Sequence, residues 1–410
     1  MPLQPTRLIL ALPLAALLLA AAVGLARVDA GIGAPVGPDR LLAAIDADPL
    51  ASGDTIQSAD GSNTQPTDVA TTASRAKAIL DTRPIDGRAY RVLAQIADAQ
   101  GDTARADALY AIAVRRAPRD RPTRAALADR AIVAGDYDAA LAQLDALFRV
   151  APSVRDPLLR RLVPALDDTR LLTALVARLA TDPPWRGALR PVLLDKATPP
   201  QTGLTVLTAL AKHTALTPQE TDTRITLLQR SGNDAQARTL WRATLPAAED
   251  AGNALLSDGS FEHPDLEGAY AWQQHPPAGV AMAQDDIAPA EGSHALAIDF
   301  SGRAVTAPGL SQALALPPGH YDFAFAADNR TDARRPFAWR LSCNAGGANL
   351  LSLSLPDAST QGWQHIEGSF EIPITACSGQ TLRLDFLGRS LAERQLSGTL
   401  RVDAVGITSR

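Results

Sequence analysis

The amino-acid sequence predicts a helical-repeat region followed by an antiparallel β-sandwich, both behind an N-terminal apolar segment. Three observations predict it. Residues 8–26 are uncharged and almost wholly apolar. From 67 to about 250, alanine- and leucine-rich stretches alternate with Gly-Asp and proline punctuation at a fixed period, and after 251 apolar residues recur at every second position. A chain of 410 residues exceeds the size at which one core stops growing, so two folded domains are expected, and 46% hydrophobic residues suffice to fill them. The net charge of −5 offers no basic field that would gather nucleic acid.

Arg7 and Arg27 flank the apolar run. Its length, at about 1.5 Å per residue, reaches roughly 28 Å, close to the hydrocarbon thickness of a bilayer. Val28-Asp29-Ala30 offers a small-residue cleavage site. Residues 1–30 therefore read as a signal anchor, with a cleaved signal peptide as the alternative. No cysteine follows the run, which removes a lipoprotein anchor. The expected location is the inner membrane as a single-pass protein with its soluble part in the periplasm, or the periplasm itself after cleavage. Residues 31–66, rich in Gly, Pro, Ser, Thr and Asp, read as a partly disordered linker with one short helix at 40–47.

Residues 67–250 carry an internal repeat. Gly101-Asp102 recurs as Gly135-Asp136 and Pro118 as Pro152, each 34 residues on. Leu93, Ala94, Ala97, Ala106, Tyr110, Ala113 and Pro118 set the packing of the first unit, and the second keeps Leu127, Ala128, Ala131, Ala140, Leu144 and Pro152. The small residues let two antiparallel helices approach, and Tyr110 fills the space between neighbouring hairpins. With that period, the region resembles the tetratricopeptide-repeat family. Degenerate pairs are expected at 155–166, 170–180, 204–213 and 221–244. The resemblance implies a concave groove lined by first helices, with Arg88, Arg91, Gln95, Asp129 and Ile132 facing a protein partner.

Residues 251–410 read as about eight strands, at 294–300, 310–316, 321–327, 337–343, 350–355, 363–372, 382–387 and 399–407, hence a sandwich. The only two cysteines, Cys343 and Cys377, both fall here. They predict a disulfide and an oxidising compartment, the alternative being two buried thiols.

The opening Asp258-Gly259-Ser260-Phe261-Glu262 and the closing Val402-Asp403-Ala404-Val405-Gly406 resemble the ends of galactose-binding-like jelly rolls, a group that includes many carbohydrate-binding modules. The resemblance implies that these ends lie side by side, and that Asp258, Glu262 and Asp403 converge on a structural calcium. The alternative is that these carboxylates satisfy turn amides. Sugar contact in such modules rests on aromatic faces. Trp339 and Trp363 sit at core positions of strands, which leaves Tyr270 and Trp272, in a loop, as the glycan-contact candidates.

No nucleophile elbow, zinc-binding helix, phosphate-cradling loop or cysteine–histidine cluster is present, and the six histidines lack metal-ligand spacing. No catalytic residue or required cofactor is expected. The combination of an apolar anchor, tetratricopeptide-like repeats and a terminal jelly roll with a cysteine pair resembles envelope accessory proteins of bacteria that assemble surface polysaccharide, and the resemblance implies a non-catalytic scaffold binding a protein partner through its groove. The alternative is a glycan-binding module carried on a helical spacer.

Overall fold

A computed structural model describes residues 69–246, 254–358 and 362–410. The expected signal anchor, linker and short helix at 40–47 lie outside the described residues. Among the described residues no helix is long and apolar enough to cross a membrane. The chain forms two compact units that divide between Ala215 and Leu216.

The first unit is helical: α1 Val69–Thr82, α2 Gly87–Ala99, α3 Thr103–Arg116, α4 Arg121–Val133, α5 Tyr137–Val150, α6 Pro152–Leu162, α7 Thr169–Ala180, α8 Leu189–Leu193 and α9 Pro200–Leu210. The 34-residue period is visible in its hairpins, α2/α3 and α4/α5. Gly101 and Gly135 end the first helix of each hairpin at φ +77° and +71°, a conformation glycine adopts without a Cβ penalty. Asp102 and Asp136 then cap the second helix by accepting the N–H of Arg105 and Ala139. Ala94, Ala97, Ala106 and Tyr110 pack as one buried cluster, so the small-residue spacing does set the helix approach. Another 34-residue pair also emerges, since Asp86 caps α2 by accepting the N–H of Arg88 and Asp120 caps α4 by accepting that of Thr123. Beyond α5 the period dissolves into shorter helices and two 3-10 turns, at Val163–Ala165 and Arg186–Ala188, with Pro157 inside α6.

The second unit begins with a helical hairpin, α10 Pro218–Arg230 and α11 Asp234–Arg242, packed on the sandwich. Thr217 and Glu220 form a capping box that starts α10. The Tyr270 hydroxyl donates to the Asp234 carbonyl at 2.9 Å, the Trp241 indole to the Glu267 carbonyl at 3.0 Å, and Ser378 to the Asp234 carboxylate at 2.9 Å. Among the described residues the helical stretch ends with α11 at Arg242 and the first strand begins at Gln273, while this last hairpin belongs to the same compact unit as the sandwich.

Ten strands build the sandwich: β1 Gln273–Gln274, β2 Val280–Asp285, β3 Ala295–Ala304, β4 Leu310–Leu314, β5 Gly319–Thr331, β6 Phe337–Cys343, β7 Asn349–Ser354, β8 Gln364–Ile372, β9 Gln380–Phe386 and β10 Gln395–Ser409, with a short helix α12 Leu391–Arg394 before the last. They form two antiparallel sheets, ordered β1-β4-β9-β6-β7 and β2-β3-β10-β5-β8. Alternate residues face inward, and Phe323, Phe325, Phe337, Trp339, Leu382, Leu384 and Leu400 fill the space between sheets. All eight expected strands are present; β1 and β2 are additional. Cys343, at the end of β6, is bridged to Cys377, just before β9, with Cα atoms 5.1 Å apart. The bridge ties two neighbouring strands of one sheet inside the core.

Candidate functional site

The opening segment and the closing strand do lie side by side. Val405 N–H donates to the Gly259 carbonyl at 2.9 Å. That contact exists because β10 carries a bulge: Asp403 pairs with Ala326, but it is Gly406, not residue 405, that pairs with Ala324. The extra residue takes Val405 out of the ladder. A Cβ at position 259 would stand 1.8 Å from the Val405 carbonyl oxygen, so only glycine fits there.

The three carboxylates read as calcium ligands each hold backbone instead. Asp258 Oδ1 accepts the N–H of Glu262 and of His263 at 2.8 and 3.2 Å, closing its own turn. Burial pushes this carboxyl up, against the two amides that draw it down. Glu262 accepts the N–H of Ser293 and His294 at 2.6 and 2.9 Å and pairs with the His294 ring at 3.0 Å. The His294 ring and those amides bring its carboxyl down to about 2. Asp403, fully buried, accepts the N–H of Ala290, Glu291 and Ala404, and burial pushes it up. Glu262 and Asp403 thus clamp the 286–294 loop from two sides. Among the described residues no group of three metal-ligating side chains converges, and each of the three carboxylates holds turn amides, the arrangement of the turn-amide alternative.

The glycan candidates separate. Tyr270 is 1% exposed, tilted against Trp241 with centroids 5.8 Å apart, and its hydroxyl is pushed up to about 12 by burial. It is a packing residue and not a sugar contact. Trp272 is only partly buried. Phe261 stacks on it at 5.2 Å, Trp339 packs against it at 5.7 Å, and its indole donates to the Asp258 carbonyl at 2.8 Å. No broad ring face is offered, but the indole lines a cleft of about 250 Å³.

This cleft opens at the edge of the sandwich, between β1 and β2, the outermost strands of the two sheets. Phe261, Trp272, Met282 and Leu296 supply its apolar lining, while His263, Gln274 and Gln284 supply polar groups. Gln284 spends its amide N–H on the Phe261 carbonyl, which fixes it. Gln274 is exposed, and beyond the backbone pairing of β1 with β4 its side-chain amide has no hydrogen-bond partner among the described residues, so that amide's donor and acceptor are free for a ligand. A concave apolar surface with a few placed polar groups is the ordinary composition of a small-molecule site. The sequence signal for it was weak: β1 has two residues, and in β2 alanines stand at the outward positions, so neither strand shows the usual contrast between faces.

The expected groove of the first unit is only partly open. Arg91 is 2% exposed, with Nε 2.9 Å from Asp120 Oδ2 and a hydrogen bond to Gln95 at 3.2 Å, and Ile132 is buried. Both residues pack between helices and do not line a surface. Arg88 pairs with its own cap, Asp86, at 3.3 Å. Asp129 is half-buried, its carboxyl pushed up by burial, and one of its oxygens lacks a partner.

No protein-family model and no curated protein matches this chain. Among solved structures, the sandwich is similar to a galactotriose-bound carbohydrate-binding module, TmCBM61, at 16% identity and TM-score 0.30 over 39% of this chain and 100% of that one. It is also similar to the xylan-binding domain CBM22-1 of Paenibacillus barcinonensis Xyn10C, at 16% and 0.27 over 39% and 96%. A bacteriophage CBA120 tailspike domain is similar at 12% and 0.28 over 38% of this chain, which spans 21% of that protein. At these identities and scores the likenesses carry no argument about what this chain binds.

Proposed function

We propose that the protein is a non-catalytic glycan-binding module carried on a helical scaffold, with the β1/β2 edge cleft as its sugar subsite. The observation that carries the reading is the cleft's chemistry. Apolar surface from Trp272 and Met282 lies beside the unpaired amide of Gln274 and the imidazole of His263. A sugar ring presents the matching pair of surfaces, an apolar C–H face and a rim of hydroxyls. The cleft's volume suits a single ring more than a long chain. The 34-residue hairpins act as the spacer that presents the module, and the partly buried groove residues make them a weaker basis for a partner site. In this proposal the apolar run at 8–26 attaches the protein to the inner membrane. The Cys343–Cys377 bridge supports an oxidising compartment such as the periplasm.

The test is affinity electrophoresis of the purified full chain through gels holding neutral polysaccharides, xylan and galactan among them. Retardation by at least one polymer is expected, weakened in His263→Ala and Gln274→Ala. Both residues are exposed, so the variants should fold. Equal mobility in every gel would sink the glycan reading.

A further inference from the structure

The sandwich is electrically polarised. At one end lie the segments 254–268 and 284–294, joined through Glu262 and His294. They hold Asp258, Glu262, Asp265, Glu267, Asp285, Asp286 and Glu291 and no lysine or arginine. The α10/α11 hairpin packs on this end through Arg238, which donates to the Ala254 carbonyl, and through Trp241 on Glu267.

The opposite end carries the reverse charge. There the end of β3, the β5–β6 loop and the β9–β10 loop are stitched together by backbone. Val305 N–H donates to the Arg394 carbonyl at 2.9 Å, Leu387 N–H to Pro336 at 3.1 Å, and Ser397 N–H to the Asp332 carboxylate at 2.8 Å. Residues 303–305, 330–336 and 387–394 hold Arg303, Arg330, Arg334, Arg335, Arg389 and Arg394 against Asp332 and Glu393. This is an excess of positive charge in a chain whose net charge is −5. Part of it is neutralised internally, since Arg330 pairs with Asp328 at 2.8 Å and Arg335 with Glu393 at 3.0 Å. Arg303, Arg334 and Arg389 are exposed, and their guanidinium groups have no partner among the described residues.

Three free guanidinium groups, one at the end of β3 and two on the β5–β6 and β9–β10 loops, suit an extended polyanion that crosses the end of the sandwich, because each planar fork meets a carboxylate or phosphate in two hydrogen bonds. A bilayer surface fits less well. Among the described residues of these segments Leu391, 70% exposed, is the one large apolar side chain exposed among the arginines, and one leucine is too little for stable insertion. We infer that this end binds an acidic polysaccharide, one bearing carboxylate or phosphate groups along its chain. The inference rests on the glycan reading of the sandwich but uses a surface separate from the edge cleft.

The experiment is affinity electrophoresis of the full chain through polygalacturonate, with galactan and xylan as neutral controls, at several salt concentrations. A parallel sedimentation assay compares vesicles of phosphatidylcholine with and without phosphatidylglycerol. The expected result is retardation by polygalacturonate that fades as salt screens the charges. In Arg303→Gln/Arg334→Gln/Arg389→Gln it should weaken by up to about fivefold per exposed contact, hence up to about a hundredfold, with neutral-polymer binding unchanged. Circular dichroism confirms the fold of the variant. Retardation only in neutral gels, or an unaltered triple variant, overturns the inference while leaving the glycan reading in place. Mobility unchanged in every gel overturns both. Sedimentation with phosphatidylglycerol vesicles that the triple variant loses, without any polygalacturonate binding, overturns it in favour of a membrane.

Discussion

Arg91 separates a partner-facing groove from a packed one. Its guanidinium is 2% exposed and lies 2.9 Å from the Asp120 carboxylate, itself only 10% exposed. Both charges have been taken out of water, and Arg91→Ala would remove the guanidinium from beside the Asp120 carboxylate. Removing one partner of such a pair costs about 3–5 kcal/mol. The lower end applies here, because Asp120 keeps the backbone N–H of Thr123 at 3.1 Å and its hydroxyl at 2.5 Å. About 3 kcal/mol corresponds to a fall of roughly 6–12 °C in the helical melting transition. Thermal unfolding followed at 222 nm would measure it. Arg91→Met, which keeps the aliphatic packing but also removes the guanidinium, should lose less than Arg91→Ala. A variant within about 0.5 kcal/mol of wild type, the range of surface substitutions, would refute the burial argument and restore Arg91 to an open groove.

Three further predictions concern the sandwich. Replacing Cys343 and Cys377 by alanine opens a loop spanning 34 residues and should cost about 4 kcal/mol by loop-closure entropy, read as a lower urea midpoint of the β transition. A midpoint unchanged from wild type would contradict it. Gly259→Ala would force a Cβ into the Val405 carbonyl and should destabilise by more than about 2 kcal/mol, measured in the same assay. Glu262 has its folded-state carboxyl depressed to about 2, so its contribution is present above the unfolded value of about 4.3 and disappears as pH falls towards 2. Glu262→Gln should therefore be less stable at neutral pH and show a flatter stability curve between about pH 4.5 and 2. Parallel curves for the two proteins would refute the clamp on the 286–294 loop.

Much of the architecture was legible because it rests on local rules. The Gly-Asp pairs at 101 and 135 mark a left-handed turn followed by a capping side chain, and each is a requirement of the backbone itself. Tyr321, Phe323 and Phe325 announce a strand by alternation, and each proves buried. What escaped depended on tertiary context. Arg91 carries a charge, and nothing local says that Asp120, far along the chain, removes it from solvent. The alanines of β2 erase the contrast between its faces, which hid both the strand and the cleft beside it. The carboxylates at 258, 262 and 403 are legible in the sequence as polar residues near the two ends of the domain, but only the loop path shows which backbone amides they hold.

The most direct test of the glycan reading is isothermal titration of the full chain, and of its Gln274→Ala variant, with an oligosaccharide cut from whichever neutral polymer retards it. One sugar per chain is predicted, with affinity falling about three- to tenfold in the variant, the worth of one neutral hydrogen bond. Identical heats for the two proteins, or no saturable heat at all, would contradict the assignment of the edge cleft.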